Sequence, residues 1–201
     1  MKSVLISIQP KWCELIASGK KTVEVRKTVP KLEPPFKCYI YCTNKKPYLV
    51  WGDVFRGNWE TEFTHLSGYN RKEAEKIWDI FNGNVIGEFV CDRIDKHSPH
   101  FLVVKEDRER VTAGSCLAAQ EIRDYVRGNK ATYNLADLPD FYCWHISDLV
   151  IYDEPKPLTD FVVRHCLWEN IRNNGCIDAS GERCFDCRLK RPPQSWCYVE
   201  G

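Results

Sequence analysis

The chain has 201 residues, 43% of them hydrophobic, which is enough for one sizeable core and fits one domain plus an appendage better than two full domains. The formal charge is only +1, yet the first 50 residues hold ten Lys and Arg against three Glu, net +7, and the remainder is net −6. That asymmetry points either to a phosphate-bearing partner or to lysines that are simply solvated.

The apolar run Val4 to Ile8 is too short for a signal-peptide core or a membrane span, so a cytosolic protein with no membrane association is expected. Eleven cysteines is a high and odd count. In the cytosol disulfides rarely persist, so clustered cysteines suggest metal and scattered ones suggest small buried hydrophobes.

Val4, Ile6 and Ile8 alternate on one face of a first strand, which ends at Pro10, a residue suited to the first turn of a helix. Trp12, Leu15 and Ile16 then make an apolar stripe at helical spacing, and Gly19 stands where a left-handed C-terminal cap is wanted. KTVEVRKT alternates again, with Val23 and Val25 on one face and Thr22, Glu24 and Arg26 on the other. Strict alternation puts Lys21 on the valine face, unless the strand becomes regular only after Thr22.

A third strand, FKCYIYCT, sets Phe36, Cys38, Ile40 and Cys42 opposite Tyr39 and Tyr41. Residues 44–69 lack a sustained period and read as a long excursion with one short strand around Tyr48 to Trp51. Asn70 with Glu73 forms a capping arrangement, and Ala74, Ile77, Trp78 and Phe81 share one helical face before Gly83. NVIGEFVCDRIDKHS is strand-like. Ser115 to Val126 predicts a helix with Ala118, Ile122 and Tyr125 inward and Gly128 as its stop, and FYCWHISDLVIYDEP gives one long strand or two, closed by Pro155. Strands dominate, so the expected class is α+β, a mostly antiparallel sheet curled into a β-barrel with flanking α-helices.

Gly19, Lys21, Glu24 and Arg26, with the late YCWHISDLVIYDEP, resemble the ASCH domain family, whose pattern is roughly G-x-K-x-x-E-x-R. The resemblance covers about residues 1–160 and is weak across an inserted excursion at about 44–82; residues 161–201 form a separate Cys-rich extension. It implies a PUA-like barrel with a cleft beside that motif, and roles in RNA binding or nucleoside chemistry. Some members resemble small amidohydrolases acting on N4-acetylcytidine with a Lys, a Thr and a Glu, and others are described as ribonucleases. Where the amidohydrolase branch carries its threonine this chain has Glu24, and a carboxylate there cannot serve as the hydroxyl nucleophile. Glu121 is the candidate for the family's other acid.

Lys21 and Arg26 supply cations, Arg with a bidentate fork suited to phosphate or carboxylate, and Glu24 two residues from Arg26 makes an ion pair the expected resting state. Either that pair is a surface salt bridge of roughly 0 to 1 kcal/mol, or it belongs to an enclosed site in which Glu24 accepts from a base's amino group or acts on water. Trp12, Tyr142 and Trp144 are candidate stacking surfaces for RNA, although alternation sets Trp144 in the core; His145, pointing the other way, is a candidate for the cleft. No Gly-rich phosphate loop, nucleophile elbow, H-E-x-x-H or zinc-deaminase signature is present, so triphosphate hydrolysis, serine hydrolysis and zinc deamination have no support in the sequence.

In the tail, Cys184 and Cys187 form C-x-x-C, flanked by Cys176 and Cys197, a set suited to one closed, structural zinc site. Reduced thiols in a loose tail and a redox pair are the alternatives, and His165 and Cys166 are reserve ligands. Arg183, Arg188, Lys190 and Arg191 extend a basic surface. The expectation is therefore an RNA-binding protein with a zinc-stapled tail. A hydrolase acting on RNA or a modified nucleoside is the alternative, and a protein-partner adaptor using the excursion is a third reading.

Overall fold

The computed structural model describes residues 2–53, 58–66, 68–76, 80–131, 134–163 and 187–200. The chain forms two compact units, one of Met1–Glu14, Lys37–Phe89 and Val150–Gly201, the other of Leu15–Phe36 and Val90–Leu149.

In the first unit, β1 (Lys2–Ile8) pairs in parallel with β3 (Phe36–Cys42), Val4 opposite Cys38, and antiparallel with β8 (Trp196–Glu200), Leu5 opposite Cys197. The flanking strands satisfy both edges of β1, and both of its faces are covered as well: Ser3 through Ile8 are all buried, where the alternation had marked one buried face. Leu5, Tyr39, Tyr41, Val85, Phe161, Leu189 and Val199 form its core. The excursion is more regular than expected: β4 (Tyr48–Asp53) and β5 (Asn58–Leu66) make a separate antiparallel pair, two strands in place of one. Fully buried Asn82 anchors its base, accepting from the Leu49 N–H at 2.7 Å and donating to the carbonyls of Lys45 and Pro47 at 2.6 and 3.0 Å. The capping box of Asn70 and Glu73 is present at the start of α2 (Arg71–Ala74), which is a single turn; Ile77 and Trp78 lie outside the described residues.

In the second unit, β2 (Val23–Arg26) pairs antiparallel with the first half of β7 (Phe141–Lys156). Val23, Val25, Phe141 and Cys143 pack with Val111 of α3 (Lys105–Ser115) and Ile122 and Val126 of α4 (Ala119–Arg127). The helix expected from Ser115 begins four residues later, as α4 at Ala119, and α3 before it is a further helix that the sequence reading did not expect. α3 escapes a periodicity reading because KEDRERVTAGS buries only Val111 and Ser115, and it stops where Cys116 turns left-handed at φ 55°.

The six strands β1, β2, β3, β6 (Val85–His97), β7 and β8 hydrogen-bond in the order β2-β7-β6-β3-β1-β8, a mixed sheet whose two ends do not join. The closed, mostly antiparallel barrel is therefore corrected to an open sheet. Beyond β2, the Thr22 N–H donates to the Gly114 carbonyl of α3 at 2.9 Å in place of another strand, and beyond β8, Val199 bridges to Val163. None of the described helices is long and apolar enough to cross a membrane.

Candidate functional site

α1 (Pro10–Ala17) is the expected two-turn helix, and it hands the chain to β2 through Gly19 at φ +71°, a conformation that glycine adopts without a Cβ penalty. The Gly19 N–H bonds the Ile16 carbonyl at 2.9 Å and the Lys21 N–H bonds the Leu15 carbonyl at 2.8 Å. Regular strand geometry begins only at Val23, which frees Lys21 from the alternation that would place it on the valine face.

Lys21, Glu24 and Arg26 converge, and all three are buried, at 2%, 7% and 7% exposure. The Lys21 ammonium donates to the carbonyls of Val23 at 2.9 Å and Ser115 at 2.8 Å and lies 3.2 Å from Glu24 Oε2. Those contacts match the three donors that an ammonium has. Arg26 Nη2 lies 3.0 Å from Glu24 Oε1. Gly114 permits the approach of α3, since a Cβ there would stand 2.9 Å from Val23 Cγ2. The arrangement is a two-cation, one-carboxylate knot, with the energetics of a buried ion pair and not of a surface one.

Tyr142 stands directly opposite Arg26 in the β2/β7 ladder and is partly exposed. Trp144, opposite Glu24, is 0% exposed, its ring meeting Phe36 edge-on with centroids 5.9 Å apart, so as folded it offers no face for stacking. Trp12, partly exposed on α1, lies under the Lys11 ammonium at 4.4 Å. Glu121 is on the exposed start of α4, where its Oε2 accepts from the Ala118 N–H at 2.7 Å, a helix-capping contact separate from the knot's hydrogen bonds. His145 bonds Asp95 Oδ2 through Nε2 at 2.8 Å, with Arg93 Nη2 3.0 Å from the same nitrogen. Burial pulls the Asp95 carboxyl upward, but the bond from His145 and the charge of Arg93 outweigh it and hold it below the usual carboxylate range.

Tyr125 is the residue that sequence reasoning misplaced. Expected inward, it is 40% exposed, with the Lys27 ammonium 4.9 Å from its ring centroid. Burial at its hydroxyl end pushes the phenol up, against the opposing field of Arg26 and with that of Glu24, so the ring lies within electrostatic reach of the knot. Its position on the apolar stripe of α4 concealed this; the flanking charges of Asp124 and Arg127 were the available signal.

Of the tail thiols, Cys176 and Cys184 lie outside the described residues, as do His165, Cys166 and Arg183. Cys187 is buried, and Cys197, on β8, packs against the first unit's core, where burial pushes its thiol up to about 11. Among the described residues no group of three His, Cys, Asp or Glu is placed to hold a metal ion.

The fold is thus an open mixed sheet with flanking helices, with Lys21, Glu24 and Arg26 buried at and just before its edge strand β2. The ASCH domain family model matches residues 6–125, and the chain belongs to that family, which is in general RNA-binding. Three solved structures are similar in fold. ASCH from Zymomonas mobilis is 19% identical with a TM-score of 0.52, covering 98% of this chain and 87% of that one. A Tyr-to-Phe mutant of the Zymomonas mobilis protein gives 19%, 0.53, 100% and 91%, and a Ser-to-Ala mutant 19%, 0.52, 98% and 88%. No curated protein matches the chain.

Proposed function

We propose that the protein binds RNA in a cleft beside Lys21, Glu24 and Arg26, where it recognises a single unstacked nucleoside, plain or modified. The observation that supports this reading most is the immobilised Glu24 carboxylate. Its two cation contacts use about half of the four acceptor directions a carboxylate has, which leaves capacity for the amino group of a base. Partly exposed Tyr142 and exposed Tyr125 are the stacking surfaces, in place of buried Trp144. Exposed Lys27, next to the knot in sequence, neutralises the backbone.

The hydrolytic alternative, amide or phosphodiester, gains less from the geometry. Lys21 is engaged with two carbonyls and Glu24, and Glu24 with two cations, so neither is poised as a base until an ion pair opens. A cytosolic setting and a structural zinc in the tail belong to the same reading.

The test is RNA affinity measured across salt concentrations for the native protein, Lys27→Ala and Tyr142→Ala. Native affinity falls steeply with salt; Lys27→Ala makes the slope shallower by about one; and Tyr142→Ala costs about 1 to 3 kcal/mol with the slope unchanged. Native-like behaviour of both variants would remove the cleft from the account.

A further inference from the structure

Beyond the knot, the second unit has another concentration of charged and aromatic side chains. An open groove of about 530 Å³ is lined by Arg93, Asp95, Lys96 and His97 of β6 and Asp107 and Arg110 of α3, with Ile94 as its one apolar lining residue. That volume is within the range of small-ligand sites.

Its parts suit one nucleotide. His97 is half-buried with its ring stacked on buried Phe141, centroids 5.4 Å apart and planes 22° apart, so the imidazole is held against the core beside the groove. Imidazoles are among the rings on which splayed RNA bases stack. Arg93, Lys96 and Arg110 have largely exposed side chains, paired to Asp95 at 3.2 Å, Asp140 at 2.7 Å and Asp107 at 2.8 Å. Exposed pairs of this kind hold weakly, so a phosphate that offers bidentate contacts displaces the carboxylates at small cost. The released Asp95 and Asp107 oxygens then accept from ribose hydroxyls or base amino groups.

The groove is also linked to the knot. α3 gives its Ser115 carbonyl to Lys21 and its Asp107 and Arg110 side chains to the groove, with Arg110 about 7.5 Å along the helix from Ser115 at 1.5 Å per residue. His145, which bonds Asp95, stands directly opposite Val23 of β2.

We propose that this groove is a second RNA subsite: the strand held beside β2 continues along α3, setting one base on His97 and its flanking phosphates against Arg93 and Arg110. This inference rests on the RNA-binding reading above.

The experiment is fluorescence anisotropy with a 5′-labelled, single-stranded, 12-nucleotide RNA of randomised sequence, titrated at several salt concentrations with the native protein, the double variant Arg93→Ala/Arg110→Ala, and His97→Leu. The double variant is expected to bind at least tenfold more weakly, with a log–log salt slope shallower by about two, one for each lost phosphate contact. His97→Leu is expected to bind severalfold more weakly at an unchanged slope, and thermal melting confirms that each variant is folded. Native affinity and slope in the folded double variant would overturn the subsite while leaving the cleft reading intact. An absence of binding by the native protein itself would remove both.

Discussion

Glu24 is the residue on which the knot depends. It neutralises Lys21 and Arg26 in a place nearly closed to water, and removing one partner of such a cluster leaves buried charge uncompensated. Glu24→Ala is therefore expected to destabilise the protein by about 3 to 5 kcal/mol in denaturant unfolding. A loss below about 1 kcal/mol is what an exposed pair gives, and would mean that the knot is solvated. The convergence itself was legible in the sequence, because a glycine cap, a late-starting strand and i, i+3, i+5 spacing bring the three together. The engagement of Lys21 was not, since two of its contacts are main-chain carbonyls and one of those, from Ser115, comes from 94 residues away. Tyr125 shows the same limit, because period tells which face a ring is on and not whether something covers that face, whereas the core placement that alternation gave Trp144 held.

Among elements, strands with clear alternation were legible and α3 was not, because a helix that buries two residues carries almost no periodic signal. The β4/β5 pair was read as one strand because its order comes partly from Asn82, a single polar residue outside the segment. Asn82→Ala strands the buried Leu49 N–H, while the part-buried Lys45 and Pro47 carbonyls can turn to water, and is expected to cost about 1 to 3 kcal/mol, the cost of one orphaned buried group. Hydrogen exchange checks this, with the Leu49 amide losing protection first.

β8 was missed because a short strand among cysteines and prolines reads as a tail. The proposed zinc has Cys187 and Cys197 within the described residues, with His165 and Cys166 as its reserve ligands. Elemental analysis is expected to find about one zinc per chain, lost in Cys184→Ser with Cys187→Ser. Metal-free native protein would end that proposal.

At the scale of the whole molecule, the family was legible from four residues and the late strand, and the α+β class from the density of strands. Closure was not. Whether a sheet closes depends on what meets its edge strands, and here β2 meets the Gly114 carbonyl and β8 meets Val163. Neither pairing has a local signature, for both join residues far apart in the chain. The same holds for charge: the basic N-terminal stretch suggested an open cationic surface, but two of its cations, Lys21 and Arg26, are buried on Glu24.

The central claim is that RNA lies beside β2, and photocrosslinking tests it most directly. A single-stranded RNA of randomised sequence containing 4-thiouridine would be irradiated with the native protein, digested, and the nucleotide-bearing peptides sequenced by mass spectrometry. The account predicts adducts on the peptides carrying Tyr142 and Tyr125, reduced by high salt. Adducts confined to the 44–69 excursion, or no adducts above those of an unrelated protein, would contradict it.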